Sequence, residues 1–169
     1  GEQTGKQLRA YSRVNSRADQ QAARETHRSV PVNEESDVVT TTFEPKNLFL
    51  SALPAAEQLR LRPYLAYHRL TQGLVLQEPE DRVEHVYFIE GGMISLVALM
   101  QDGAAIETAT LGREAILGAL SALGRHTASM RAIVQIDATA WRMPVADFRA
   151  AVSQSPMLRK LALLSSELA

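Results

Sequence analysis

A mainly β domain flanked by helices, of the double-stranded β-helix or jelly-roll barrel kind, is the fold class this sequence predicts. Three observations predict it. Short runs rich in strand-forming residues succeed one another at close spacing from Tyr67 to Met143, with turn residues between them. Asp102-Gly103 stands between two of these runs as a two-residue hairpin turn. Proline-led helical patterns bracket the β region, at Pro54 on one side and at Pro144 and Pro156 on the other.

Residues 1–45 differ in kind from the rest of the chain. They are rich in Gln, Arg, Glu, Ser and Thr and poor in large apolar residues. Arg17 to Arg28 has helix propensity with Ser16 placed as an N-cap, but its apolar content is mostly alanine. With so little to bury, the composition predicts a flexible tail; the alternative is an arm that packs on a partner. A β-barrel domain is expected over 46–155 and the start of a C-terminal helix over 156–169.

Within the domain, Asn47 to Pro54 predicts a short apolar turn, and Pro54 to Leu65 a helix presenting Leu59, Leu61 and Leu65. Tyr67–Leu70 and Leu74–Leu76 predict short strands around Gly73, and Glu78 to Asp81 a polar turn. His85 to Ile89 predicts a strand ended by Gly91-Gly92, with a longer one after it from Met93 to Met100. Ala104 to Leu111 returns across the hairpin with Ile106, Thr108 and Thr110 on one face. Later, Met130, Ala132, Val134 and Ile136 alternate with Ser129, Arg131, Ile133 and Gln135, and Thr139 to Met143 predicts one more strand. Pro144 suits the first position of a helix whose Val145, Phe148 and Val152 share a face. The last helix, from Pro156, carries Met157, Leu158, Leu161, Leu164 and Leu168 at near-helical spacing.

The stretch from Leu111 to Met143 breaks this β pattern. A helical passage is expected from Glu114 to Leu123 with Gly118 inside it, then a polar turn, Gly124-Arg125-His126-Thr127. A glycine-flanked helical turn between strands exposes backbone amides that suit an anion.

Composition removes several function classes. The chain has 169 residues, enough for one domain and a tail, and a formal net charge of −1, without the clustered basic surface that charge-driven nucleic-acid binding needs. It has no cysteine, which excludes disulfides, thiolate zinc sites and iron–sulfur clusters. No apolar run approaches a membrane span and no signal-peptide core is present, so a cytoplasmic protein is expected, without membrane contact. The four histidines, His27, His68, His85 and His126, lack the spacing of a metal site. Met93, Met100, Met130 and Met143 suit core filling better than a soft-ligand or haem environment, and Trp141 suits packing. No triad or phosphate loop of the Gly-Lys-Ser/Thr kind occurs, so no catalytic residue is assigned and an enzyme is not expected.

The order and spacing of Asn47–Pro54, His85–Ile89 with Gly91-Gly92-Met93-Ile94-Ser95-Leu96, Asp102-Gly103, Gly112-Arg113-Glu114 and Leu117-Gly118 resemble the effector domain of the Crp/Fnr transcription regulators. The resemblance covers about Asn47 to the C-terminus and implies a cyclic-nucleotide-binding-like barrel that senses a signal. It further implies a long dimerising helix after the barrel and a C-terminal helix-turn-helix that binds DNA, which this sequence lacks; a truncated product or an isolated fragment is expected.

In that family the phosphate cassette begins Gly-Glu-Leu and ends with Arg, then Ser or Thr, then Ala. The Glu holds the ribose hydroxyl and the Arg neutralises the cyclic phosphate. The matching positions here are Gly118-Ala119-Leu120 and His126-Thr127-Ala128, so Glu is replaced by Ala and Arg by His. The cassette is degenerate, and charge-assisted bonds of about 1.5–3 kcal/mol each are lost. Arg125 or Arg131 are the candidates to compensate. No cofactor is required, and tight cAMP binding is not expected. Arg113 and Glu114 fit either a ligand loop or a strand-to-helix turn, and His126 either a ligand contact, a pH sensor or an exposed turn residue.

By resemblance, Leu158, Leu161, Leu164 and Leu168 are assigned to dimerisation of the full-length parent. The expected function is that of an effector-sensing domain of a Crp/Fnr-type regulator, a ligand-binding module for a small-molecule effector. The alternatives are a stand-alone protein-interaction module of the same fold and, more remotely, a cupin-like metalloenzyme.

Overall fold

The computed structural model describes residues 43–100, 105–124 and 127–167. The body built from Thr40–Ala98 and Ile106–Ala169 holds the sheet and its helices; a second unit, Gly1–Val39 with Leu99–Ala105, lies almost wholly outside the described residues. The helix expected at Arg17–Arg28, the Asp102-Gly103 turn, Arg125, His126 and Leu168 fall outside them as well.

The elements in chain order are α1 (Leu48–Ser51), α2 (Ala55–Leu61) with a 3-10 turn Arg62–Tyr64, β1 (Ala66–Leu70), β2 (Val75–Gln77), β3 (His85–Leu99) and β4 (Ala105–Leu111). They continue with β5 (Ile116–Leu117), α3 (Ala119–Leu123), β6 (Arg131–Pro144), α4 (Val145–Gln154) and α5 (Pro156–Glu167). The sheet runs β1-β6-β3-β4, with β2 added on β6 and β5 on β3. Its hydrogen-bonded path ends at β1 and β4, so the jelly-roll sheet is open where a closed barrel was expected. The short strands account for this. β6 takes β2 at Ala132–Ile133 and β1 at Ala138–Arg142, so both occupy successive lengths of the same long strand.

The two long strands are each a merger. His85–Ile89 and Met93–Met100 were expected as separate strands divided by Gly91-Gly92; they are one strand of 15 residues. The glycines mark irregular pairing, with register shifts between Ile89 and Ile94. Gly92 has φ +81, and a Cβ there would lie 2.3 Å from the Asp137 carbonyl oxygen. The pair thus bends the strand across its neighbour instead of ending it. The expected strands at 130–136 and 139–143 likewise form one strand, β6. Ala132 and Val134 are buried as the alternation predicts, but Ile136 is 53% exposed. It lies opposite Met93, in the irregular stretch, where the inside–outside alternation loses step.

Period-two alternation gives the sheet two buried faces. Val86 and Phe88 of β3, with Trp141 and Met143 of β6, join Phe49, Leu50, Phe148, Leu158 and Leu161 in a helix-side cluster. Ile89, Ile94 and Leu96, with Val134, Ala138 and Ala140, join Leu70, Leu111 and Leu117 in a second cluster on the opposite face. On α4, Val145, Phe148 and Val152 are buried as their spacing predicts. Pro144 closes β6 and stands as the N-cap of α4, one position before the place expected for it. On α5 the buried stripe is Leu158, Leu161, Ala162 and Ser165.

The expected turn at Asn47 is instead one turn of helix, α1, which Asn47 ties to the sheet. Its Oδ1 accepts from the Phe49 and Leu50 amides, each at 3.1 Å. Its Nδ2 donates to the Ile89 carbonyl at 3.0 Å and the Ala115 carbonyl at 2.9 Å. The buried Glu90 carboxylate accepts from the Lys46 and Asn47 amides. One fully buried side chain therefore satisfies a helix start, β3 and the turn before β5 together. Asn47→Ala is expected to lower unfolding stability by about 2–4 kcal/mol, from a lost cap and orphaned carbonyls. Urea denaturation monitored by Trp141 fluorescence checks this, and an unchanged midpoint would contradict it.

Candidate functional site

The cassette stretch begins differently from the expected helix. Glu114 lies in a turn, Ile116–Leu117 form β5 paired with Tyr87 and Phe88 of β3, and the helix proper is α3. Gly118 is therefore its N-cap and not an interior residue, with φ 85 in the left-handed region. The reason is space as well as conformation. A Cβ on Gly118 would lie 2.9 Å from the His85 carbonyl oxygen and 3.2 Å from a Val83 methyl. Ala119 and Ala122 are buried in the helix-side cluster, while Leu120 is 58% exposed.

The far end of the cassette is strapped to the turn before β3. Thr127 bridges to Arg82, the Ala128 amide donates to the Asp81 carbonyl at 2.8 Å, and the Glu80 amide donates to the Ala128 carbonyl at 2.9 Å. Glu80 adopts φ 68, an uncommon conformation for a residue with a side chain, to make that turn. Gly118 thus rests on the start of β3, Ala119 on the helix-side cluster, and Thr127 and Ala128 on the Glu80–Arg82 turn, while Leu120 is exposed.

Two long-range hydrogen bonds tie this stretch to the C-terminal helices. The Ile116 amide donates to the buried Ser165 Oγ at 2.8 Å, joining β5 to α5. Arg149 Nε donates to the Ala122 carbonyl at 2.6 Å, joining α4 to α3. Neither contact is legible in the sequence, because both depend on which helix faces close on α3.

The other expected residues have local duties. Glu114 Oε1 accepts from the Gly112 amide at 2.9 Å, and the Arg113 carbonyl accepts from the Leu48 amide at 2.8 Å, so this loop is a turn secured to α1. Arg131, a candidate replacement for the cassette arginine, pairs with Glu78 at 2.8 Å. Leu158 and Leu161, assigned to dimerisation, fill this body's own core; Leu164 is exposed together with Met157. Met143 is core, Met130 packs beneath β4 with its sulfur accepting from Thr108 Oγ1, and Met100 is exposed. No group of three or more metal-ligating side chains comes together among the described residues. A cavity of about 200 Å³ lies between α2 and α4, lined by Glu57, Arg60, Tyr64, Asp147 and Gln154, and shares no residue with the cassette.

Sequence spacing alone left His68 and His85 without a role, yet the sheet gathers them. Arg142 of β6 lies directly across from Tyr87 on β3 and Ala66 on β1. His85 is two residues before Tyr87, with ring centroids 6.5 Å apart, and His68 is two residues after Ala66. The Arg142 charge acts on the Tyr87 phenol across the β3–β6 pairing. Burial lowers the pKa of both imidazoles, and the Arg142 charge lowers them further; Glu84 partly offsets this at His85. Burial likewise raises the Tyr87 phenol. The strand alternation of His85 and Tyr87 was the available signal, but the partner strands were not.

A jelly-roll sheet carrying a short glycine-capped helix between β5 and β6, backed by two terminal helices, is the architecture of a cyclic-nucleotide-binding-like domain. The family model for the cyclic nucleotide-binding domain matches residues 67–155, and the chain belongs to that family. Among solved structures, the Thermus thermophilus catabolite activator protein superposes with a TM-score of 0.61 at 21% identity, over 71% of this chain and 57% of that one. The N-terminal domain of a transcriptional regulator from Streptomyces coelicolor A3(2) gives 0.58 at 18%, over 72% and 86%. The regulatory domain of Toxoplasma gondii PKA, crystallised with cAMP, gives 0.61 at 15%, over 72% and 46%. At these identities the likeness is one of fold. No curated protein matches the sequence.

The lowered imidazole pKa values give a signed pH dependence. Below their ordinary value of 6.5 the unfolded chain binds protons that the folded His68 and His85 resist. Their contribution is therefore fully present above that pH and is lost as pH falls through the folded values. The double variant His68→Gln, His85→Gln is expected to lose less stability than the parent between about pH 7 and 5, as read by urea midpoints across that range. Parallel curves for the two proteins would contradict the assignment.

Proposed function

We propose that this chain is the effector-sensing domain of a Crp/Fnr-type transcriptional regulator, with a small molecule held by the sheet's open face next to the cassette. The observation that carries the reading is the bond between the Ile116 amide and Ser165 Oγ, buried between β5 and α5. Any ligand that displaces the cassette must load this bond, and α5 is the element through which such a module reaches a second subunit and its DNA-reading domain. The response is a population shift: the effector favours one seating of α3 and α5 over another by its differential affinity for the two.

The ligand chemistry departs from that of a fully equipped cassette. Ala119 offers no carboxylate for a ribose hydroxyl, and Arg131 is engaged by Glu78. Cyclic nucleotides are therefore expected to bind weakly. Calorimetric titration with cAMP and cGMP, with Thr127→Ala as control, tests this; micromolar or tighter binding abolished by the control would restore the nucleotide site.

A second reading, a protein-interaction module of the same fold, draws on the exposed Met157 and Leu164 of α5. The Ser165→Ala variant separates the two. Under the sensing account, loss of the hydroxyl orphans a buried amide at a cost of about 1–3 kcal/mol and loosens the cassette as well as α5. Hydrogen exchange of the Ile116 amide reads this directly, and unchanged protection there would count against coupling.

A further inference from the structure

We propose that Arg142, His68, His85 and Tyr87 form an oxyanion subsite on the sheet beside the cassette, and that the effector carries a carboxylate or phosphate which docks there. The inference rests on the reading of this face as the effector site and specifies the ligand's charge.

The geometry supplies what an oxyanion needs. Arg142 is flanked by β1 and β3 and brings a fork of donors; Tyr87 stands directly opposite it on β3, on the same face. His68 and His85 lie diagonally to either side of Arg142, on the two neighbouring strands and on the same face of the sheet. The four side chains are each partly exposed, so the group is open to a solute while its floor is protein. His68 Nε2 itself is buried and has no hydrogen-bond partner among the described residues. A buried ring nitrogen without a partner is costly, and an anion held by the Arg142 guanidinium satisfies it once the His68 ring turns towards that anion. Glu84 is the neighbouring carboxylate; it is exposed, and its effect on His85 is smaller than that of Arg142.

The subsite also adjoins the cassette through the backbone. Tyr87 pairs with Arg142 on one side and with Leu117 on the other, and Gly118 rests on the His85 carbonyl. An anion drawn towards Arg142 therefore presses on the strand that carries the N-cap of α3. Where the family's cassette brings its cation from the helix end, this chain brings one from β6. Protonation of the histidines adds charge to the same place, so anion affinity rises as pH falls.

The test uses the whole chain and two probes that do not themselves titrate between about pH 6 and 8: sulfate, standing for a phosphate group, and acetate, for a carboxylate, each against chloride at equal ionic strength. The imidazole proton resonances of His68 and His85 report occupancy. One or both probes are expected to raise the two imidazole pKa values, with affinity roughly tenfold higher at the lower pH. Arg142→Gln is expected to abolish the shift while keeping the far-UV spectrum of the parent. His68→Gln, His85→Gln is expected to bind with no pH dependence, read by thermal shift. Sulfate alone acting would specify a phosphate-bearing effector, and acetate alone a carboxylic acid. No shift with either probe, or equal shifts in Arg142→Gln, would overturn the proposal. Cyclic-nucleotide titration remains a separate result, so failure of the subsite and failure of the sensing account are distinguishable.

Discussion

The closeness of α3 to the sheet constrains the rest of this structure. Gly118 has no room for a Cβ because the His85 carbonyl and Val83 stand in the way. Ala119 and Ala122 are the small residues that let the helix lie flat against the helix-side core. A helix of five residues has little stability of its own and owes its form to such packing. Its position is consequently set by its surroundings: β3 below, Arg149 and Ser165 from the terminal helices, and the Asp81–Arg82 turn at its far end. A segment held by its neighbours and not by itself is suited to move when one of those neighbours moves.

Under the sensing proposal, the two-faced sheet is the route by which a ligand on one side is felt on the other. Along β3 the residues alternate between Val86 and Phe88, which face the helices, and Tyr87 and Ile89, which face the second cluster. Along β6, Trp141 and Met143 alternate with Ala140 and Arg142 in the same way. The polar group at Arg142 and the apolar seat of α4 and α5 are therefore one residue apart in sequence on both strands. Close packing transmits a displacement across that distance without needing any longer path. Trp141, stacked edge-on against Phe43 and Tyr67 with Arg62 over its ring, stiffens the helix side of this region.

Much of the architecture was legible because it rests on local pattern: the strand-rich centre, the helices at either end, and the buried face of α4 at Val145, Phe148 and Val152. The errors share one cause, since each depended on a partner distant in the chain. Gly91-Gly92 has the composition of a stop and is a bend, because β6 continues alongside it. Ile136 fits the alternation in sequence and loses it where the pairing shifts. Gly118 suits the inside of a helix until β3 claims Ile116 and Leu117, which nothing local announces. Leu158 and Leu161 have the spacing of a dimer face, but an apolar stripe does not say which surface will cover it. Asn47 was expected to open a short apolar turn, while its bonds to Ile89 and Ala115 arise only in the fold. Of the site, the resemblance supplied the expected cassette residues, while only the alternation of His85 and Tyr87 pointed towards their grouping with His68 and Arg142.

Effector sensing of this kind requires that α3 and α5 move as one unit. Native-state hydrogen exchange on a Leu158→Ala variant probes that requirement, because Leu158 packs α5 into the helix-side core and touches no part of the open face's cluster. The amides of Ile116 to Leu123 are expected to lose protection together with those of α5, while those pairing β1 with β6 retain theirs. Loss confined to α5, with the cassette amides unchanged, would contradict the coupling.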